Sequence, residues 1–278
     1  MLFSVIVPTC HRNDLLAKCL DRLGAGTQTF QDKYEVIVTD DGSKSDAQDM
    51  LRRDYPWVRW VPGPRKGPAA NRNNGAKHAL GDWVIFVDDD CLPDPGLLSG
   101  YAAAMLQYRD MNVLEGRTYT DRPRRSLAEV CPVNETGGYL WSCNFAIRKP
   151  LFDKLTGFDE RFPYACMEDV DFRTRLTLLG ERFAFVPASS VCHGWRPCYT
   201  VRELIRYKES LDVFLSLHPE TWNENGGLHH FRAGLRSLIK VTIGTAFQYR
   251  GAGFLRALRH DLFTFWMGLR LGLRAINR

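Results

Sequence analysis

A chain of 278 residues, 45% hydrophobic and 25% charged, is long enough to bury a large core and too apolar for wholesale disorder. The formal charge of +5 is mild but uneven: from Phe231 to Arg278, nine Lys or Arg stand against one acid, Asp261, which suggests an anionic surface as the partner of this tail. Eight cysteines without CxxC pairs exclude a disulfide scaffold and fit reduced thiols in a cytoplasmic protein, and no apolar run is long enough for a simple membrane-spanning helix.

The opening MLFSVIVPTC is apolar but lacks the basic start of a signal peptide. In the first hundred residues, β-rich runs at Phe3–Val7, Tyr34–Val38, Trp57–Val61 and Trp83–Val87 alternate with helical patterns at Asp14–Leu23, Ser45–Asp54 and Pro68–Leu80. Near-continuous apolar strands separated by helices predict a buried, mostly parallel sheet with helices on both faces. Ligands of such sheets sit beyond the carboxyl ends of the strands. Those ends carry Pro8-Thr9-Cys10, Asp40-Asp41-Gly42 and Asp88-Asp89-Asp90, so the unusual polar chemistry converges on one rim.

Further on, a helix is expected at Pro95–Tyr108 and a strand at Asn112–Tyr119, then an irregular, mobile stretch at Thr120–Gly138. A strand in YLWSCNFAIRK, a helix from Glu168 to Leu179 closed by Gly180, and a strand at Phe183–Val186 complete this part. The tail reads as helices at Val201–Leu217, Leu228–Tyr249 and Gly253–Ile276, with a turn at NENGG, residues 223–227. The implied division is an α/β domain over 1–200, with a regular half at 1–95 and a looser half at 96–200, followed by a basic helical region over 201–278.

Three carboxylates in a row behind an apolar strand repel one another. Asp88 and Asp90, one residue apart, point to the same side and suit a hard cation such as Mg²⁺ or Mn²⁺; a solvated acidic turn is the plain alternative. Asp40-Asp41 can accept from a nucleobase imide or a ribose hydroxyl, although Asp-Gly is also an ordinary turn. Arg72 and Asn73 lie on the first turns of a helix, where phosphate binds well. Glu168, Asp169 and Asp171 open another helix, explained in part by the macrodipole and in part by a need for a general base. His193 follows the last strand and could complete a metal shell; Cys192, His193 and Cys198 are only half of a zinc site.

Five segments in order, SVIVPTCHR, EVIVTDDGSKSD, ANRNNGAKHALGDWVIFVDDDCLPDP, CNFAIRKPLFDKLTGFDERF and EDVDFRTRLTLLG, resemble the inverting nucleotide-sugar glycosyltransferases of family 2, with the GT-A fold. The resemblance covers residues 3 to about 195 and implies a catalytic domain over 1–200 whose 1–95 half binds the nucleotide sugar and whose 96–200 half handles the acceptor and carries the base. It implies an α/β fold, metal ligation by Asp88, Asp90 and His193, nucleobase contact at Asp41 with Pro8 lining the pocket, and an RNxG motif at Arg72, Asn73 and Gly75. It further implies Asp169 as the catalytic base with Glu168 beside it; Thr9, Asp89 and Trp141 complete the expected substrate-binding set. The QxxRW motif of processive synthases is absent, which implies one sugar per encounter.

The implied partners are a nucleotide-sugar donor, with UDP expected, and a saccharide or lipid-linked saccharide acceptor, with no nucleic acid and a homo-oligomer left open. The tail adds its own expectation. Phe254, Leu258, Leu262, Trp266, Leu269 and Leu273 form one helical stripe flanked by Arg256, Arg259, Arg270, Arg274 and Arg278, suited either to peripheral contact with the inner face of an anionic membrane or to packing on protein. The rival functions are a sugar nucleotidyltransferase, for which VPTCHRND is a poor phosphate loop, and a non-catalytic nucleotide- or nucleic-acid-binding module.

Overall fold

Strand β1, Phe3–Thr9, is buried along its whole length, as a near-continuous apolar run inside a parallel sheet requires. In a computed structural model, which describes residues 3–44, 47–197, 200–221 and 226–276, it lies beside β2 (Tyr34–Asp40) and β4 (Trp83–Val87). Strand β3 (Arg59–Pro62) flanks β2, and helices α1 (Asn13–Leu23), α2 (Ala47–Asp54) and α3 (Pro68–Lys77) make the crossovers. Next come β5 (Cys91–Pro93), α4 (Leu97–Gln107), β6 (Val113–Thr120), β7 (Glu129–Val130), β8 (Asn144–Arg148), α5 (Lys149–Lys154), α6 (Glu168–Leu178) and β9 (Phe183–His193).

The sheet order is β3-β2-β1-β4-β8-β6-β9-β5. The β3, β2, β1 and β4 pairings are parallel, β8 is antiparallel to both β4 and β6, β9 runs parallel to β6, and β5 is antiparallel to β9. This is the mixed, mostly parallel α/β sheet expected from the sequence. Alternation along the strands divides the core. Val5, Val7, Val36 and Val38 pack with Leu16 and Leu20 on one face. Ile6, Ile37 and Phe86 pack on the other with an aromatic group in which Phe158 and Phe172 ring centres lie 4.8 Å apart. Gly75 of α3 belongs to this packing: a Cβ there would come within 2.4 Å of Ile6 Cγ2.

Strand β9 extends seven residues past its expected end. Gly116 of β6 pairs with Val186 but Arg117 pairs with Ser190, so Pro187, Ala188 and Ser189 bulge out and the strand resumes to His193. Pro187 has no N–H to give a ladder, which is why the sequence pattern seemed to stop there.

The stretch expected to be irregular, Thr120–Gly138, is tied at one end by Glu115. This buried carboxylate accepts from Asn134 Nδ2 (2.8 Å), from the N–H of Gly138 and Tyr139 (2.7 Å each) and from the N–H of Leu140.

The chain divides into two compact units, Met1–Asp121 with Pro132–Gly194, and Arg122–Cys131 with Trp195–Arg278. In the second, β7 pairs antiparallel with β10 (Arg196–Pro197). Helix α7 (Val201–Leu217) starts at a capping box of Thr200 and Glu203, and α8 (Gly227–Arg236) is followed by α9 (Phe254–Ile276). The single helix expected over Leu228–Tyr249 is instead α8, a π-helical segment at Ser237–Ile243 and a run of turns. That segment contains Ile239, Val241, Thr242 and Ile243, whose β-branches disfavour an α-helix. Ser45, Asp46, Cys198 and the first part of the NENGG turn lie outside the described residues.

Candidate active site

The three acids after β4 are gathered by two arginines. Asp89 is fully buried: the Thr9 hydroxyl donates to its Oδ2 at 2.7 Å, and Arg12 holds it through Nε at 3.1 Å and Nη2 at 2.6 Å. Arg12 also reaches Asp90 Oδ2 through Nη1 at 2.9 Å. Asp88 Oδ1 receives Arg72 Nη2 at 2.6 Å. Mutual repulsion of the triplet is therefore answered first by guanidinium groups, and the sequence reading missed Arg12, whose only signal was a basic residue just after the β1 rim. Asp89, expected to touch substrate, is turned inward.

Burial raises the Asp89 carboxyl to about 7 even though Arg12 and Thr9 oppose it. Burial also acts to raise Asp88, but Arg72 and Arg12 outweigh it and leave Asp88 below the ordinary range.

The expected cation grip by Asp88 and Asp90 is modified in the same way. The compact donor group consists of Asp90, Cys91 and His193, with ligand atoms all within 4.8 Å of one another, while Asp88 is held by Arg72. His193 Nδ1 lies 2.8 Å from Gly194 O. A carbonyl only accepts, so this contact fixes the proton on Nδ1 of the neutral ring and turns the Nε2 lone pair toward Asp90 Oδ1, 3.5 Å away. An oxygen and a nitrogen lone pair so placed suit a divalent cation between them. The Cys91 thiol is fully buried and held protonated by its bond with Cys143 and by burial, which leaves it out of a hard-cation shell. The strand bulge in β9 and the pairing Cys91↔His193 between β5 and β9 are what bring these residues together.

Arg72 is buried to 3% exposure and spans two sites, since its Nη1 donates to Glu168 Oε1 at 3.0 Å while Nη2 holds Asp88. Glu168 and Asp169 open α6 after Met167, whose φ of 72° is left-handed, an uncommon conformation for a residue with a side chain. Burial and the neighbouring Asp169 charge push Glu168 up to about 7, and burial likewise raises Asp169. Asp169 is half-buried, with Val170 N donating to its Oδ1 at 2.8 Å. Asp171 is 1% exposed and paired with Arg175 at 2.8 Å, a fastening inside the helix.

Other expected contact residues also carry bonds within the chain. Asn73 is buried, donating to Phe158 O at 2.8 Å and accepting from Phe158 N at 2.8 Å. Asp41 accepts from the N–H of Arg65 at 2.5 Å and of Gly67 at 2.9 Å, shaping the loop before α3. Pro8 is buried in β1 opposite Thr39. Asn71, unnoticed in the sequence, accepts from Thr39 Oγ1 at 2.7 Å and donates to Thr9 O and Thr39 O, stitching the rim ends of β1 and β2 to α3. Trp141 stacks on Tyr139 with ring centres 5.3 Å apart, and its Nε1 donates to Val133 O.

The family model described as "Glycosyl transferase family 2" matches residues 4–155. An uncharacterized glycosyltransferase of Haemophilus influenzae is 28% identical over 189 residues, 63% of this chain and 62% of that protein. The GalNAc(5)-diNAcBac-PP-undecaprenol beta-1,3-glucosyltransferase of Campylobacter jejuni is 37% identical over 109 residues, 37% of this chain and 33% of that protein. The chain thus spans less than two thirds of the length of both relatives. Among solved structures, S. aureus TarS 1-349 in complex with UDP-GlcNAc superposes with a TM-score of 0.60 at 20% identity, covering 95% of this chain and 82% of that one. That likeness carries the fold.

Proposed function

The chain belongs to glycosyl transferase family 2, and on that premise we propose that it moves one sugar from a nucleotide diphosphate sugar, with UDP as the nucleotide, to an acceptor hydroxyl with inversion at the anomeric carbon. The observation that carries this reading is the Arg72 bridge, which fastens Asp88 at the end of β4 to Glu168 at the start of α6 and so joins an acidic strand rim to a helix that opens on a second acid pair. Asp90 and His193 would hold Mg²⁺ or Mn²⁺, which when bound supplies neutralising charge for a leaving diphosphate.

Asp169 takes the acceptor proton. Its raised pKa makes its carboxylate a stronger base than an ordinary aspartate once ionised. The Arg72 guanidinium keeps Glu168 and Asp88 oriented while Asp169 acts, and the stacked Tyr139 and Trp141 offer an apolar face for a sugar ring. Direct displacement by the acceptor oxygen needs no covalent sugar–enzyme intermediate. The acceptor class we assign is a saccharide or lipid-linked saccharide of cell-surface glycan assembly, a reading supported by the undecaprenol-linked acceptor in the name of the Campylobacter relative. The basic region 228–278 would keep the enzyme at the inner face of an anionic membrane.

The test is Asp169→Asn. UDP affinity by calorimetry should stay within about twofold of the unaltered protein while turnover falls by about 10²–10⁴. In the unaltered protein, kcat/KM should rise with pH through an inflection above the ordinary aspartate value, because a raised pKa keeps the base protonated to higher pH. Normal turnover of Asp169→Asn would remove the base, retention at the anomeric carbon by NMR would exclude single displacement, and pyrophosphate release from a nucleoside triphosphate with a sugar 1-phosphate would favour a nucleotidyltransferase.

A further inference from the structure

The helical pair of the second unit carries large apolar side chains on its exposed side as well as on its buried side. The buried side of α9 carries Ala257, Asp261, Met267, Gly268 and Leu271. The opposite side exposes Leu255 (79%), Leu262 (57%), Trp266 (47%), Leu269 (60%) and Leu273 (64%), spaced by seven, four, three and four residues so that all fall in one stripe. Of the stripe expected from the sequence, Leu262, Trp266, Leu269 and Leu273 are exposed, while Phe254 and Leu258 are half-buried. On α8, Leu228, Phe231 and Leu235 are exposed at spacings of three and four.

Between the helices stand small residues. A Cβ on Gly227 would come within 2.5 Å of Gly272 N, and one on Gly268 within 2.7 Å of Phe231 N, so the backbones touch. The polar groups are internal as well: Thr242 donates to Asp261 Oδ2 at 2.6 Å, and both are buried. Close glycine contacts and a hydrogen-bonded polar pair inside, beside Met267 and Leu271, with large apolar residues also on the outer face, is how helices pack when their surroundings are apolar. Water would favour a polar outer face. The turns after the π-helical segment present Phe247 at 96% exposure.

Charge names the occupant. Asp261 is the one acid between residues 226 and 276, and it is hidden from the surface, whereas Arg232, Arg236, Lys240, Arg250 and Arg256 are exposed beside the apolar stripes. No helix among the described residues is long and apolar enough to cross a membrane. We infer that α8, the π-helical segment and α9 form a hairpin that lies in the surface of an anionic bilayer, its exposed Leu, Phe and Trp side chains in the acyl boundary and its arginines at the phosphates. This deepens the membrane reading given above and is independent of the transfer chemistry.

The experiment is flotation of the full chain with phosphatidylcholine vesicles, with and without phosphatidylglycerol. The unaltered protein should float with the anionic vesicles and less with the neutral ones, and added salt should weaken binding. Leu262→Ser combined with Leu269→Ser should lower the bound fraction at least about tenfold, with an unchanged circular-dichroism melting curve; Phe247→Ser probes the tip separately. Flotation that these substitutions leave unaltered, or none by the unaltered protein, overturns the inference. So does a dimer in ultracentrifugation that the double substitution breaks without any flotation, which would assign the face to a second copy. Donor turnover measured on the same samples separates the two readings, since its loss with flotation intact counts against the transfer reaction alone.

Discussion

The strand rim and the helical hairpin each bury carboxylates and solve the problem differently. At the rim, Asp88, Asp89 and Asp90 are held by the guanidinium groups of Arg12 and Arg72, with Asp88 and Asp90 about one-fifth exposed. In the hairpin, Asp261 is wholly covered and meets the Thr242 hydroxyl. The packing around them differs too. Phe86, Phe145, Phe158 and Phe172 fill the core beneath the rim, while the hairpin brings glycines into contact inside and leaves Leu255, Leu262, Leu269 and Leu273 outside. The difference teaches that one unit gathers charged side chains at its strand ends, whereas the other gathers large apolar side chains on an exposed helix face.

The largest break in this comparison should come from Arg72→Met. It strands Asp88 and Glu168 without their cation, and losing one partner of a buried ion pair costs about 3–5 kcal/mol; urea denaturation reads this, and a loss below about 1 kcal/mol would show that the bridge is dispensable. Next is Asp90→Ala, expected to lower kcat/KM by about 10² or more, with the unaltered protein similarly impaired in EDTA. Full activity in EDTA would return the acidic rim to a purely arginine-held structure.

Within the hairpin, Thr242→Val removes the hydroxyl on Asp261 Oδ2, leaving His260 Nδ1 beside its Oδ1 at 3.3 Å, and should destabilise the chain by about 1–3 kcal/mol in the absence of lipid. Equal stability would mean that the His260 contact alone satisfies Asp261. The smallest effect belongs to Leu262→Ser, expected within about 0.5 kcal/mol in water because the side chain is already exposed. A large loss there would show that the stripe is packed against protein, and the contrast between the two regions would disappear.

Much of the sheet was legible because period and composition agree. Trp83–Val87 is an unbroken apolar run bounded by Asp82 and Asp88, and the strand occupies those residues without adjustment. Helix α7 ends at His218-Pro219 for the same kind of local reason. The rim residues were legible as a group, but not their orientation. Nothing in DDDC says that the middle acid turns inward to Thr9 while its neighbours turn out. Asn73 and Asp41 were read as ligand contacts because their types suit ligands; their bonds to Phe158 and to the N–H groups of Arg65 and Gly67 join distant residues and leave no trace in the sequence. Arg12 and Glu115 were missed because each acts on residues distant in sequence, Arg12 on Asp89 and Asp90, Glu115 on the 138–140 turn.

The bulge in β9 carries a constraint on length. Three residues, Pro187 to Ser189, stand outside the ladder before pairing resumes at Ser190, and His193 follows three positions later beside Asp90. Side chains alternate across a strand, so deleting one residue from the bulge while keeping the flanking pairing leaves His193 in place, but absorbing that deletion by sliding the strand turns the imidazole to the opposite face. Ser189 resists such sliding, with its hydroxyl on Leu97 O and its carbonyl on Asn144 Nδ2. Ser189 is thus fixed by its bonds, and an odd-numbered slip of the strand is the change that would carry His193 away from Asp90.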